Sequence, residues 1–463
     1  MDSRIDSVHV SPQGYMRPQA RGLLQVLREP RRSILLVAGF RQIGKSTIIE
    51  QLADQIDIPA YVAPYETSLR LDRIESAWQH ARSSFGRDRA VLFIDDVDES
   101  PGWAETAATL WDDDTCAGRR LHVVLVGSVV GITSERTEHH LADRSEVHFL
   151  PYWSATEMRE AFGWDIDRFI FYGGLPGAAS VMDNPAKDNP AKDNPAKDNP
   201  AYRLRSGLSD ERDVHARWVR FIRSSVVERA ISRDILQNVR LNKPTLIGRL
   251  FELCCRHSGD IVPYAHMLRA LRDVGNTTTL AYHLRLLSAA GLATGVPKYR
   301  GEDIRKRASS PKLQVINSGL VSALSGITFR EARADRGVWD RLTRAAVGAH
   351  LVNSGVGGHN RLYYWLDRGR EVDFVVESGG RRSERHRLED HLRAIELRIG
   401  DISGTMRGIF AFGETFPPVE RVTVGRSSPR TVGRTSSRRF SSGNQQVSVE
   451  RFLFERVNTR NRA

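Results

Sequence analysis

Cysteine is scarce in this chain: Cys116, Cys254 and Cys255 are the only three among 463 residues. They cannot build a disulfide framework, two are adjacent, and no C-x-x-C spacing suggests zinc, which favours a reducing, cytoplasmic setting. Long apolar runs are missing too. No stretch approaches the roughly 20 residues that cross a bilayer, and no apolar region follows Met1-Asp2-Ser3-Arg4-Ile5-Asp6, so no membrane partner and no signal peptide are expected. Acids are in deficit. Asp and Glu total 56 against 68 Lys and Arg, a net charge of +12 with a pI near 9.9. That excess admits a polyanionic partner or a merely arginine-rich composition. Hydrophobic content of 40% and charged content of 27% are ordinary for globular domains. The length calls for about two to four of them.

Against these absences stands one complete motif. Gly39-Phe40-Arg41-Gln42-Ile43-Gly44-Lys45-Ser46 fits G-x-x-x-x-G-K-[ST] at every fixed position. The apolar run Ser33 to Ala38 precedes it and reads as a buried parallel strand. Ser46 to Leu52 follows with helical apolar spacing. In that context the residues from Gly39 to Ser46, with Thr47, cradle a nucleoside triphosphate through backbone N–H groups and a helix N-terminus. Lys45 would reach the β- and γ-phosphates, and the Ser46 hydroxyl would sit on Mg²⁺.

Residues from about 33 to 150 alternate strand-like runs with helical patterns, the signature of a doubly wound parallel sheet. Further strands are expected at Ile58–Val62, Val91–Ile94, His122–Val126 and Glu146–Leu150. The strand between the loop and Asp95 suggests the additional-strand class of phosphate-loop ATPases. Asp95, ending an apolar strand, is placed to hold Mg²⁺ through hard oxygen. Asp96 stands where related ATPases carry a carboxylate, usually Glu, that polarises the attacking water. Being one methylene shorter, it would work, work slowly, or merely hold a water. Ser128 reads either as a ligand of the γ-phosphate or lytic water, or as part of a turn. Arg144 reads either as a charge-stabilising arginine or as a surface residue.

From Asp183 to Ala201 the unit Asp-Asn-Pro-Ala recurs four times with Lys between copies, a flexible insertion with no chemistry of its own. Residues from about 243 to 300 read as a winged helix-turn-helix. In its last helix Leu280, Leu284 and Leu287 form the buried stripe, Asn276 or Thr277 the N-cap, Gly291 the C′ glycine, and Leu292–Val296 the wing. Thr278, Thr279, Tyr282, His283 and Arg285 form the face left for a groove in double-stranded DNA. Another mixed α/β block spans about 311 to 415, with a helix near Val338–Asn353 and strands at Leu362–Trp365, Glu371–Glu377 and Arg393–Leu397. Beyond Arg421 the chain is Arg/Ser/Thr/Gly-rich and reads as a basic, disordered tail up to Val447–Leu453, able to touch nucleic acid electrostatically.

Tyr15-Met16-Arg17-Pro18, the loop, Asp95-Asp96-Val97-Asp98, Pro101-Gly102-Trp103, Leu125-Val126-Gly127-Ser128 and Leu141-Ala142-Asp143-Arg144 together resemble one group of prokaryotic AAA-type ATP-binding proteins. So do Tyr172-Gly173-Gly174-Leu175-Pro176, Arg233-Asp234-Ile235, Pro311-Lys312-Leu313, Gly319-Leu320, Tyr363-Tyr364-Trp365 and Glu371-Val372-Asp373-Phe374. The ordered set covers residues from about 15 to 415.

The resemblance implies an α/β chain: an additional-strand, AAA-like phosphate-loop domain at 15–182, the repeat insertion at 183–201 and a helical linker at 202–242. A winged helix at 243–305, a restriction-endonuclease-like PD-(D/E)xK domain at 306–420 and the basic tail at 421–463 would follow. It also implies a metal site at Asp373 and Glu396 with Asp340 as a third acid, and a lysine position that here holds Arg398, a poor proton acceptor. The group's usual Asp-Glu is Asp95-Asp96, and its usual Gly before the arginine is Asp143. ATP and Mg²⁺ are the cofactors expected. The leading reading is a nucleotide-driven ATPase switch, slow through Asp96, acting on a protein partner, a second copy or DNA. An ATP-regulated DNA-binding protein and a metal-dependent nuclease are the alternatives.

Overall fold

The computed structural model describes residues 14–64, 72–183, 212–237, 239, 241, 243–271, 275–301, 309–356, 360–378, 391–399, 407–417, 419–425 and 444–454. All but the first residue of the tandem repeat, and much of the basic tail, lie outside the described residues. The chain divides into two compact units. One comprises Met1–Tyr152 and Glu228–Arg240, and the other Trp153–Val227 and Leu241–Ala463.

The first unit is built on five strands: β1 (Ile34–Gly39), β2 (Ala60–Val62), β3 (Ala90–Ile94), β4 (Leu121–Gly127) and β5 (Ser145–Leu150). Their order is β2-β3-β4-β1-β5, and every pairing is parallel. Helices α1 (Pro18–Arg28), α2 (Lys45–Gln55), α3 (Arg73–Phe85), α4 (Trp103–Cys116), α5 (Val129–Ile132) and α6 (Glu135–Leu141) connect and cover the strands. Every residue of β1, β3 and β4 is buried, as a sheet covered on both faces requires. Their Val, Leu and Ile side chains pack against Trp78, Trp103 and Trp111. β1 is flanked by β4 and β5, so the loop that follows β1 opens at the sheet's C-terminal edge, one strand in from β5, where α/β sheets bind ligands.

The second unit begins with α7 (Ala155–Phe162), α8 (Ile166–Tyr172) and α9 (Pro176–Asp183). It continues through α10 (Thr245–Arg256), α11 (Tyr264–Leu271), α12 (Thr277–Ala289), β6 (Ala293–Val296) and β7 (Lys312–Val315). The Asn276 side chain accepts from Thr279 N at the start of α12. Gly291 ends it with φ +77°, a left-handed conformation that suits glycine. Leu280, Leu284 and Leu287 are buried as their spacing requires. His283, expected on the exposed face, is also buried, because α12 packs on both α10 and β6. β6 pairs antiparallel with β7, Val296 opposite Lys312. A segment that sequence assigned to the next block thus serves as this hairpin's second strand.

Helices α13 (Ser318–Ser325), α14 (Phe329–Ala334) and α15 (Arg336–Gly355) lead into β8 (Asn360–Asp367), β9 (Arg370–Ser378) and β10 (His391–Arg398). Helix α16 (Arg407–Thr415), β11 (Val419–Gly425), β12 (Asn444–Ser448) and α17 (Val449–Phe454) complete the unit. The sheet order is β12-β11-β10-β9-β8. β8, β9 and β10 are antiparallel neighbours, whereas β10, β11 and β12 run parallel. Residues 421–425 and 444–446, expected in a disordered tail, are strand. Four residues of the run Val419-Glu420-Arg421-Val422-Thr423-Val424 are β-branched, and Val422, Thr423 and Val424 are buried. The surrounding Arg/Ser composition masked a strand this short.

Candidate nucleotide site

The loop between β1 and α2 takes the conformation its glycines permit. Gly44 caps α2 at φ +87°. A Cβ on Gly39 would lie 2.7 Å from Ile43 Cδ1 and 3.2 Å from Lys45 Cδ, so a larger residue there would displace the Ile43 side chain. The Lys45 ammonium donates to the carbonyls of Gly39 (3.3 Å) and Phe40 (3.2 Å), which holds its charge across the loop's mouth. Thr47 lies in the first turn of α2.

The carboxylates of β3 meet this loop from the side. The Ser46 hydroxyl donates to Asp95 Oδ2 at 2.5 Å, so the two oxygens expected to share Mg²⁺ are in contact. Asp95 also accepts from Asp96 N at 2.9 Å. Burial, then the neighbouring Asp96 charge, pushes the Asp95 carboxyl upward against the pull of Ser46 and Lys45. Hard oxygens of this kind, beside the Lys45 ammonium, would suit Mg²⁺. Asp96 itself sits at φ +46°, an uncommon left-handed conformation for a residue with a Cβ.

Asp98 carries more of the site than its place in the motif suggested. Its carboxylate accepts from the Ser128 hydroxyl at 2.5 Å and from Ser128 N at 3.3 Å. Burial pushes Asp98 up to about 6, with Ser128 opposing and Asp96 adding to the rise. A Cβ on Gly127 would come within 2.6 Å of Asp98 Oδ1, so the Gly-Ser turn is shaped around this acid. Ser128 also caps α5 by accepting from Gly131 N at 3.1 Å. Its one hydroxyl proton is therefore committed to Asp98.

A third contribution comes from the returning segment Glu228–Arg240, which sequence reading placed in a linker. Ala230–Ile235 is π-helical, a rare geometry that is frequent at functional sites. Arg41 grips the buried Asp234 through Nε (2.9 and 3.1 Å) and Nη2 (2.5 Å). Arg233 pairs with Glu99 at 3.0 Å, one short turn beyond Asp96, and the segment packs against α5. Burial pushes the Asp234 carboxyl up while Arg41 pulls it down. Arg233 and Asp234 belonged to the resembling segments, but only the fold shows them at the loop.

Arg144 is elsewhere. Its carbonyl accepts from Ile34 N at 2.8 Å, at the start of β1, and its guanidinium forms a bidentate pair with Asp112 at 2.8 Å. The loop begins at the other end of β1, about 17 Å away at 3.3 Å per residue. Arg144 cannot touch phosphates held by its own chain.

The acids anticipated in the second unit do converge in part. Asp373 lies on β9 and Glu396 and Arg398 on β10, and the Asp373 charge is felt at Glu396. Asp340 lies on α15, one turn before Arg344, which reaches to 4.0 Å from Asp373. Lys312, which no reading of the sequence singled out for chemistry, is buried among them.

Residues 31–159 match the family described as AAA domain, and residues 207–331 match a domain of unknown function, DUF8612. No curated protein matches the chain significantly. Among solved structures, a RuvB variant from Thermotoga maritima is 15% identical. The match covers 62% of this chain and 91% of that one, with a TM-score of 0.26. Cdc6p from Pyrobaculum aerophilum is 13% identical, covering 65% and 92%, with a TM-score of 0.28. Likeness at that level says nothing of partner or reaction. The first unit carries a phosphate-loop AAA domain of the ATP-binding type.

Proposed function

We propose that this chain is a Mg²⁺-dependent ATPase of low intrinsic rate that acts as a nucleotide-driven switch on a protein or DNA partner. The observation that carries the reading is the contact of Ser46 with Asp95 beside Lys45. Lys45 and the loop N–H groups would hold the phosphates, while Ser46 and Asp95 would hold Mg²⁺, which supplies charge neutralisation when bound. Asp96 would polarise the attacking water from a short arm on a strained backbone, which favours slow turnover.

The partner follows from the second unit. Three helices closed by the β6–β7 hairpin support a winged helix, and Thr278, Tyr282 and Arg285 lie exposed on α12. That face offers a single cation to a groove, so packing against a protein is favoured over sequence reading. The arrangement of α15, β8–β10, α16 and β11 supports a nuclease-like domain. Among the described residues no helix is long and apolar enough to cross a membrane. A cytoplasmic setting remains part of the proposal.

ATP turnover measured with and without double-stranded DNA, in the wild type and Lys45→Ala, tests the reading. Loss of ATP affinity in Lys45→Ala is expected. Unchanged affinity would overturn it, and stimulation by DNA would favour the DNA-bound switch over the protein-bound one.

A further inference from the structure

Resting on the nuclease-like reading of the second sheet, we propose that Lys312 is a built-in cation occupying the position a divalent metal would need between Glu371 and Asp373, on the strand next to Glu396.

Glu371 and Asp373 stand two apart on β9 and therefore share a face of the sheet. Lys312 enters from β7 with its ammonium 2.8 Å from Glu371 Oε1 and 3.1 Å from Asp373 Oδ1. Its side chain is 2% exposed. An ammonium so buried survives only if paired, and the Phe374 ring 5.1 Å away adds a second favourable face. The other Asp373 oxygen accepts from Leu397 N at 2.7 Å, which leaves that carboxylate engaged on both sides.

Mg²⁺ demands near-octahedral oxygen ligands at about 2.0–2.1 Å. A cation bridging Glu371 and Asp373 would have to share the space Lys312 fills, and would be repelled by it. Arg344 approaches Asp373 at 4.0 Å and Arg398 approaches Glu396 at 3.5 Å. The three acids thus face three internal cations. Among the described residues, no three His, Cys, Asp or Glu side chains are grouped to hold a metal.

The position two residues beyond Glu396 holds Arg398, whose guanidinium offers only N–H donors and no lone pair to a water. The residues do not fit the metal that the fold implies, and no cleavage step is derived through it. What remains is a sheet whose acids are paired with cations of the same chain.

The test is Mn²⁺ titration of the nucleotide-free full chain carrying Asp95→Asn, which removes the phosphate-loop metal position, followed by electron paramagnetic resonance. No saturable Mn²⁺ site is expected, with or without a further Asp373→Asn change. Lys312→Met in the same background should gain one saturable site that Asp373→Asn removes. A saturable site in the Lys312 protein that Asp373→Asn weakens at least about tenfold would overturn the proposal. That comparison does not depend on Lys312→Met folding. A Lys312→Met chain with unchanged far-UV circular dichroism and no gained Mn²⁺ site would also overturn it, and would place the failure in the nuclease-like reading. ATP affinity of Lys312→Met with Asp95 intact reports on the nucleotide reading separately.

Discussion

Arg41 in the phosphate loop and Asp234, separated by 193 residues, are joined by three hydrogen bonds of 2.5–3.1 Å. Asp234 is 3% exposed and Arg41 18%. Removing one partner of such a pair leaves a buried charge, at a cost of about 3–5 kcal/mol. Arg41→Ala, which strands the more deeply buried Asp234 carboxylate, should therefore lower the first unit's unfolding midpoint sharply, and Asp234→Ala should do so less. In a double-mutant cycle the combined variant should be no less stable than Arg41→Ala alone. Additive losses in calorimetry would show that the pair is not coupled.

Asp98 gives the first unit a pH dependence with a definite sign. Its folded pKa of about 6 exceeds the ordinary 3.8, so the folded state binds the proton more tightly. The resulting stability is complete below about pH 4 and is lost as pH rises through 6. The shift corresponds to at most about 3 kcal/mol. The raised carboxyls of Asp95 and Asp234 act in the same direction. Asp98→Asn should flatten that component between pH 4 and 6 and stabilise the protein at pH 7–8. Denaturant melts across this range would reveal an unchanged slope if the assignment is wrong.

Asp96 couples strain to chemistry. Relieving its left-handed backbone with Asp96→Gly should stabilise the first unit by about 1 kcal/mol. ATP affinity should hold while phosphate release falls by about two orders of magnitude, the usual worth of a general base. A Gly variant that turns over ATP at the wild-type rate would remove Asp96 from the reaction.

Arg144 faces away from its own loop, so any action on phosphate charge requires a second copy of the chain. Its present partner, Asp112, is solvent-exposed and easily exchanged. Mixing inactive Lys45→Ala chains with inactive Arg144→Ala chains should restore part of the turnover, since each mixed contact can unite an intact loop with an intact arginine. Inactivity of the mixture at every ratio would leave Arg144 a surface residue.

Much of the first sheet was legible because β1 and β3 are uninterrupted apolar runs and β4 is broken only by His122, and a phosphate loop has few alternatives. The contacts of Ser46 and Asp95 follow from local motif geometry. Asp234 was hidden for the opposite reason: its role depends on a return of the chain from residue 227, which no local pattern encodes. Lys312 was among the resembling residues, but its pairing with Glu371 and Asp373 was not legible because they lie far from it in sequence. His283 defied the helical stripe because α12 is covered on more than one side, a matter of packing rather than periodicity. β11 was lost in an Arg/Ser-rich stretch whose average composition outweighed six β-branched and charged positions.

The chain passes between its two units at residues 152, 227 and 240. A single protease nick can therefore never release the ATP-binding unit whole. Excision after Tyr152 would carry away Arg41 while leaving Asp234 behind. The nucleotide-binding part is heritable only together with the residues threaded between its pieces, which ties any exchange of the second unit to an intact loop in the first.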